Sequence, residues 1–166
     1  MGMVCYLLKA SNEELSAYVN DSSALVERLM IHPDARKDNI DKSWEGIQFI
    51  LTGCATYDLD KAAAPLKWLI FGDYGIDENL DLGYGPARCS TAEQVKEIAE
   101  ALNAISTAEF EKMYSHACTV WDTDMYPAGF RPDDTYFPSF YSVFETLKQF
   151  YTEAATNEEA VITFLG

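Results

Sequence analysis

Several short constellations in the chain carry residue types that can do chemistry. Asp77, Asn79 and Asp81 stand at the i, i+2, i+4 spacing of an oxygen-rich calcium loop. The rest of that loop is absent: Leu82 occupies the place that needs glycine, and Arg88 falls where a bidentate carboxylate closes the shell. The segment therefore reads as a solvated acidic loop. Gly83-Tyr84-Gly85 precedes a helical pattern and begins like a phosphate-cradling loop. The third glycine is missing, Pro86 offers no N–H, and no Gly-Lys-Ser/Thr follows. A turn using glycine for its backbone freedom is the simpler reading. Arg88 stays open between two roles, pairing with a carboxylate or clamping an anionic ligand. His116 and Cys118 are two residues apart, and i, i+2 positions do not share a helical face, so a base–nucleophile pair there requires the helix to have ended. The other histidine is His32, and neither HxxxH nor HExxH occurs. Asp122-Thr123-Asp124 is an acidic pair of a kind that holds divalent metals, yet such pairs are common in loops. No metal and no cofactor is expected.

The most informative segment runs from Trp121 to Tyr141. It interleaves Trp121, Tyr126, Phe130, Tyr136, Phe137, Phe140 and Tyr141 with Asp122, Asp124, Asp133 and Asp134, and Arg131 is its one basic residue. Helical periodicity starts only near its end, so several rings sit on a long loop, and long ordered loops often carry function. Aromatic anchors inside an acidic rim suit an interface for a basic protein. The competing reading folds the rings down onto the core, with tyrosine hydroxyls hydrogen-bonded. Trp44 divides the same way, between a core position beside Ile47 and Leu51 and the wall of a cleft. An alternative site would gather Trp44, Tyr84, Arg88 and Tyr126 around a pocket for a small molecule.

The elements that position these residues follow from capping and periodicity. Met3 to Lys9 reads as a strand. Ser11 with Glu14 forms a capping box for a helix to about Asn20, and Ser22 opens a second helix that Pro33 ends. Asp41 is an N-cap candidate for a helix stopped by Gly53. Asp60 opens another that closes near Gly72, and a strand is expected near Leu80 to Tyr84. Ser90 with Glu93, and Ser106 with Glu109, cap two further helices. After the long loop, Phe140 to Tyr151 defines a strong final helix with Asn157 at its left-handed exit, and Ala160 to Phe164 is a terminal strand. The expected class is α+β, or α/β: a single domain over residues 1–166, with at least five helices and a small sheet that includes the N- and C-terminal strands.

Composition narrows the partners. The chain has 166 residues, 12 basic and 27 acidic, for a net charge of −15. Nucleic acid and anionic membrane surfaces need clustered Lys and Arg, so neither is expected. Residues 1–89 hold 8 basic and 14 acidic groups, a net −6, whereas residues 90–166 hold 4 and 13, a net −9. The acidic excess thus concentrates in the shorter half. No apolar run approaches the roughly 20 residues of a membrane helix. The start has neither a basic region nor a cleavage site of a secretory signal, and Tyr6 stands where myristoylation favours Ser or Thr. Cys5, Cys54, Cys89 and Cys118 are scattered and read as free thiols in a cytoplasmic protein.

Taken together, the opening Met1-Gly2-Met3, the run Asp41-Lys42-Ser43-Trp44-Glu45-Gly46 to Leu51-Thr52-Gly53, and Tyr84-Gly85-Pro86-Ala87-Arg88 before a capped helix resemble the YfbM-like family. So do Tyr126-Pro127, Phe144 through Tyr151, Ala154-Ala155 and Ala160-Val161-Ile162. The resemblance spans nearly the whole chain. It implies a three-layer sandwich of sheet and helices, and it implies no activity, because the family's function is unknown. Two functions follow as expectations. One is a non-enzymatic binding domain whose acidic, aromatic face takes a basic protein, in its sharpest form an immunity-type inhibitor of a toxin. The other is a small-molecule-binding protein or enzyme using the pocket at Trp44, Tyr84, Arg88 and Tyr126.

Overall fold

A computed structural model describes residues 2–166. The first strand, β1 (Cys5–Ala10), is followed by α1 (Asn12–Asn20), α2 (Ser22–Ile31), α3 (Trp44–Thr52) and the single-turn α4 (Trp68–Phe71). Two short strands come next, β2 (Tyr74–Gly75) and β3 (Arg88–Ser90). Three helices, α5 (Ala92–Ala104), α6 (Thr107–Thr119) and α7 (Phe137–Thr156), lead to β4 (Ala160–Leu165).

The helix starts show how local chemistry sets the boundaries. At α1 the Ser11 hydroxyl accepts the Glu14 N–H at 3.1 Å, and the Glu14 carboxylate accepts the Ser11 N–H at 2.8 Å. Ser106 and Glu109 repeat this box at α6. At α5 the box is Thr91 with Gln94, one position beyond the Ser90–Glu93 pair expected from sequence. Ser90 is held in β3 opposite Val161, so its backbone is extended and the next hydroxyl takes the cap. At α2 the cap is Asp21, whose carboxylate accepts the Ser23 N–H. Asp41 caps nothing: it has φ 46°, the 3₁₀ turn Asp41–Ser43 intervenes, and α3 begins at Trp44. Gly53, at φ 71°, ends α3 as anticipated. The left-handed exit after α7 falls on Glu158 (φ 55°) rather than Asn157.

Two expected elements are replaced. The helix from Asp60 is instead a 3₁₀ segment, Thr56–Lys61, a turn with a cis Ala64–Pro65 bond, and then α4. Pro65 has no N–H and disfavours helical backbone in the residue before it. No strand forms at Leu80 to Tyr84, because the Asp81 carboxylate accepts the Gly83 and Gly85 N–H groups at 2.8 and 2.9 Å and ties off a turn. Met1, part of the opening segment, lies outside the described residues. Val4 and Gly166 exchange backbone hydrogen bonds at 3.0 Å, and strand pairing is assigned from Cys5 on.

The sheet runs β1-β4-β3-β2 and every neighbouring pair is antiparallel. The terminal strands pair along their length, Cys5 opposite Leu165 through Ala10 opposite Ala160. Alternation sends Leu8, Ala10, Cys89, Ile162 and Phe164 to one face, where Leu15, Leu25 and Leu29 of α1 and α2 cover them. Cys5, Leu7 and Val161 face the other way into the larger core of α3, α5, α6 and α7. Helices on both faces of the sheet make the three layers. Among the described residues, no helix is long and apolar enough to cross a membrane.

Candidate functional site

The aromatic loop folds inward. Trp121 is 7% exposed and meets Phe49, Phe130 and Phe140 edge-on, with ring centroids 5.5 to 6.0 Å apart. Gly46 makes room for this packing: a Cβ there would lie 2.8 Å from the Phe140 ring and 3.0 Å from the Trp121 ring. Tyr126 stacks on Trp44 at 5.3 Å, its hydroxyl accepts the Met3 N–H at 2.8 Å, and the Trp44 indole N–H donates to the Met3 carbonyl at 3.2 Å. Glu45 is buried and joins two segments, accepting the Thr56 N–H at 3.0 Å and the Tyr126 N–H at 2.7 Å. Nothing in the sequence marks Glu45 as a buried carboxylate except its helix, which is apolar on nearly every side.

The loop carboxylates divide. Asp122 accepts the Tyr57 hydroxyl and the Asp124 N–H, and Asp133 accepts the hydroxyl and N–H of Thr135. These donors hold both carboxyls below the usual aspartate range. Asp122 and Asp133 therefore act as local turn clasps. Asp124 and Asp134 stay exposed, and Tyr136 is exposed with its ring edge-on to Phe130 at 4.9 Å. The prominent exposed ring beside this loop is Tyr57, at 61% exposure, which no pattern in the sequence marks. Its hydroxyl pKa is pushed up to about 12, first by the hydrogen bond to Asp122, then by desolvation, and then by the charges of Asp122, Asp58 and Asp124.

A separate cleft of about 630 Å³ opens between α4, the Tyr84 turn and the paired inner strands β3 and β4. Arg88 and Thr163 are cross-strand partners on one face of this strand pair. Arg88 donates from Nε to the Phe71 carbonyl at 2.9 Å, from Nη1 to Glu78 at 3.0 Å and from Nη2 to the Asp73 carbonyl at 3.4 Å. Gly72 permits the close approach: at φ 53°, a Cβ there would fall 2.5 to 2.7 Å from the Cys89 backbone. Tyr84 stands on the rim at 51% exposure. Leu59, Ile70, Phe71, Pro86 and Leu165 supply apolar wall. Among the described residues four buried side-chain polar atoms have no partner; two belong to lining residues, the Trp68 indole N–H and the Thr163 hydroxyl, and two, Gln48 Oε1 and Ser90 Oγ, lie outside the lining. Buried donors are nearly always paired, so each of the two in the cleft calls for a partner.

The four residues expected to share a pocket thus separate into two pairs. Tyr84 and Arg88 line the cleft. Trp44 and Tyr126 stack behind it in the core, with Phe71 between, edge-on to Trp44 at 5.7 Å and itself part of the cleft wall. Lys67, Trp68 and Thr163 were not anticipated from sequence, because they become neighbours only when α4 docks on β4.

The remaining constellations have local explanations. Asp77 accepts the Ser22 hydroxyl at 2.7 Å and the Asn79 N–H at 2.9 Å. Helix α6 continues to Thr119, so His116 and Cys118 point to different sides. Among the described residues, no group of three or more His, Cys, Asp and Glu side chains is placed to hold a metal. The four cysteines are free, and burial pushes the Cys5 and Cys89 thiols up to about 12 and 11. Neither is a reactive thiolate near neutral pH.

Layering and strand order define a single-domain α+β protein with helices on both faces of a four-stranded antiparallel sheet. Within that class the chain belongs to the family described as "Domain of unknown function (DUF1877)", which it matches over residues 1–164. Its fold is also that of a protein of unknown function from Escherichia coli, YfbM, whose crystal structure superposes with a TM-score of 0.71 at 18% identity, covering 98% of this chain and 99% of that one. No curated protein sequence matches the chain.

Proposed function

We propose that the protein is a small-ligand-binding domain and that the α4–β3–β4 cleft is its site. The observation that carries this reading is the pair of buried, unpartnered polar groups, Trp68 N–H and Thr163 O–H, in the wall of a concavity that also holds Arg88 and Tyr84. A mostly apolar cleft of a few hundred Å³ with a few polar groups is the usual form of a ligand site. The reading is tested by thermal-shift screening of water-soluble metabolites against wild type and Tyr84→Ala. Tyr84 is on the rim, so its truncation leaves the ligand-free Tm nearly unchanged. A ligand at about 100 times its Kd adds about 2.7 kcal/mol to wild type, and its shift shrinks in Tyr84→Ala. Hits that shift both proteins equally place the ligand elsewhere and sink the reading.

A second reading, a basic protein partner of the immunity type, draws on the net charge of −15 and on exposed Tyr57 among Asp58, Asp122 and Asp124. A ring anchored by its hydroxyl within carboxylates is suited to meet a cationic surface. Its test is the retention of a basic toxin encoded beside this chain, at low and moderate salt, by wild type and by the triple reversal of those aspartates to lysine. Equal retention by both proteins removes it.

A further inference from the structure

Resting on the cleft reading above, the polar groups also indicate what kind of ligand enters. Each charged group of the cleft has a distinct position. Glu78 is paired with Arg88, and Asp73 accepts the Gln94 side-chain amide at 2.8 Å. Asp60 is exposed at the rim, next in sequence to Lys61. Lys67 is half-buried and has no carboxylate within 4.0 Å among the described residues, in a chain where acidic groups outnumber basic ones by more than two to one. Arg88 uses three of its five N–H groups and keeps two. The indole of Trp68 can only donate, and the Thr163 hydroxyl can donate as well. The carboxylates in this cleft are therefore engaged or peripheral, whereas its unengaged groups can all donate: an indole N–H, a hydroxyl and one ammonium.

We infer that the cleft takes a small organic anion, its carboxylate or phosphate held by Lys67, Trp68 Nε1 and Thr163 Oγ1, and its apolar body lying along Ile70, Phe71 and Leu165. Charge-assisted hydrogen bonds to such a head group are the strong kind, and they would partner groups that the fold leaves unpartnered. The apolar wall makes free inorganic phosphate a poor fit, because it would leave that surface uncovered.

The test uses the indole N–H signals of the intact protein in a proton–nitrogen correlation spectrum. Three tryptophans give three such signals, and Trp68→Phe identifies one. Four ring compounds of similar size are titrated to about 10 mM, above the millimolar Kd usual for fragments: benzoate, phenyl phosphate, neutral benzamide and cationic benzylamine. Benzoate or phenyl phosphate is expected to move the Trp68 indole signal downfield and to saturate, whichever moves it at lower concentration naming the head group. Lys67→Met is expected to raise that Kd at least about fivefold, and Lys67→Arg to restore most of it. If benzamide binds as well as the anions and Lys67→Met changes nothing, charge is not being read and the inference is overturned. If benzylamine alone moves the cleft signals, the cleft stands and its preference for anions is wrong. If none of the four moves any signal from Trp68, Tyr84 or Thr163, the inference and the cleft reading fall together.

Discussion

Two regions of this molecule are rich in aromatic rings and charge, the loop from Trp121 to Tyr136 and the cleft beside α4, and they treat their polar groups in opposite ways. Where the loop meets the core, polar groups are paired: Tyr126 at both its N–H and its hydroxyl, Glu45 of α3 at both carboxylate oxygens, and the Tyr114 hydroxyl of α6 on the Asp133 carbonyl at 2.6 Å. In the cleft, an indole N–H and a threonine hydroxyl are buried and unpaired, and a half-buried lysine has no counter-ion. Composition alone ranks the loop first. Satisfaction of polar groups ranks the cleft first, and it is the better criterion, since an unmade buried hydrogen bond costs about 1–3 kcal/mol and persists where something other than stability maintains it.

The comparison breaks most visibly at Trp121. If the loop is structural, Trp121→Ala removes a buried ring wedged against Phe49, Phe130 and Phe140 and lowers the unfolding free energy by about 3–5 kcal/mol in urea. A loss below about 1 kcal/mol would mean that the ring is free to serve a surface role. A smaller effect of opposite sign is expected at Thr163. Thr163→Val keeps the shape and deletes an unpaired hydroxyl, so stability should be unchanged or rise by up to about 1 kcal/mol. A loss of 2 kcal/mol or more would show that the hydroxyl has a structural partner.

The difference between the regions also marks how far sequence reading reaches. Helix starts at Ser11 and Ser106 were readable because a capping box is complete within four residues. The pairing of the terminal strands was readable because two β-type runs flank a helical middle, and each needs a partner to satisfy its backbone. Ser90 misled because a serine before an acidic residue has the look of a cap, and only the ladder to Val161 shows otherwise. The rings of the loop were visible as a cluster, but whether they turn in or out depends on Gly46, more than 70 positions earlier. The cleft was half legible. Tyr84 and Arg88 share one segment, whereas Lys67 and Trp68, and Thr163, come from segments nearly a hundred residues apart. No periodicity links those positions, and the unpaired state of a donor is a tertiary property.

The smallest expected effect is the most specific, and it lies where Tyr57 meets the loop at Asp122. The Tyr57 hydroxyl is the first cause of the lowered Asp122 pKa, ahead of the Asp124 N–H. A carboxylate depressed in the folded state stabilises that state above its unfolded value of 3.8, and this contribution disappears as pH falls through the lower folded value. Tyr57→Phe removes the donor, so the Asp122 titration followed by carboxyl-carbon NMR should move up toward 3.8, and the stability lost as pH falls through the lowered value should shrink. Asp133 is depressed by Thr135 on a different turn, and its titration should stay where it is. If both carboxyls move together, the lowered values belong to the face as a whole. The loop carboxylates would then act as one acidic surface, which is the arrangement a basic partner would require, and the contrast with the cleft would weaken.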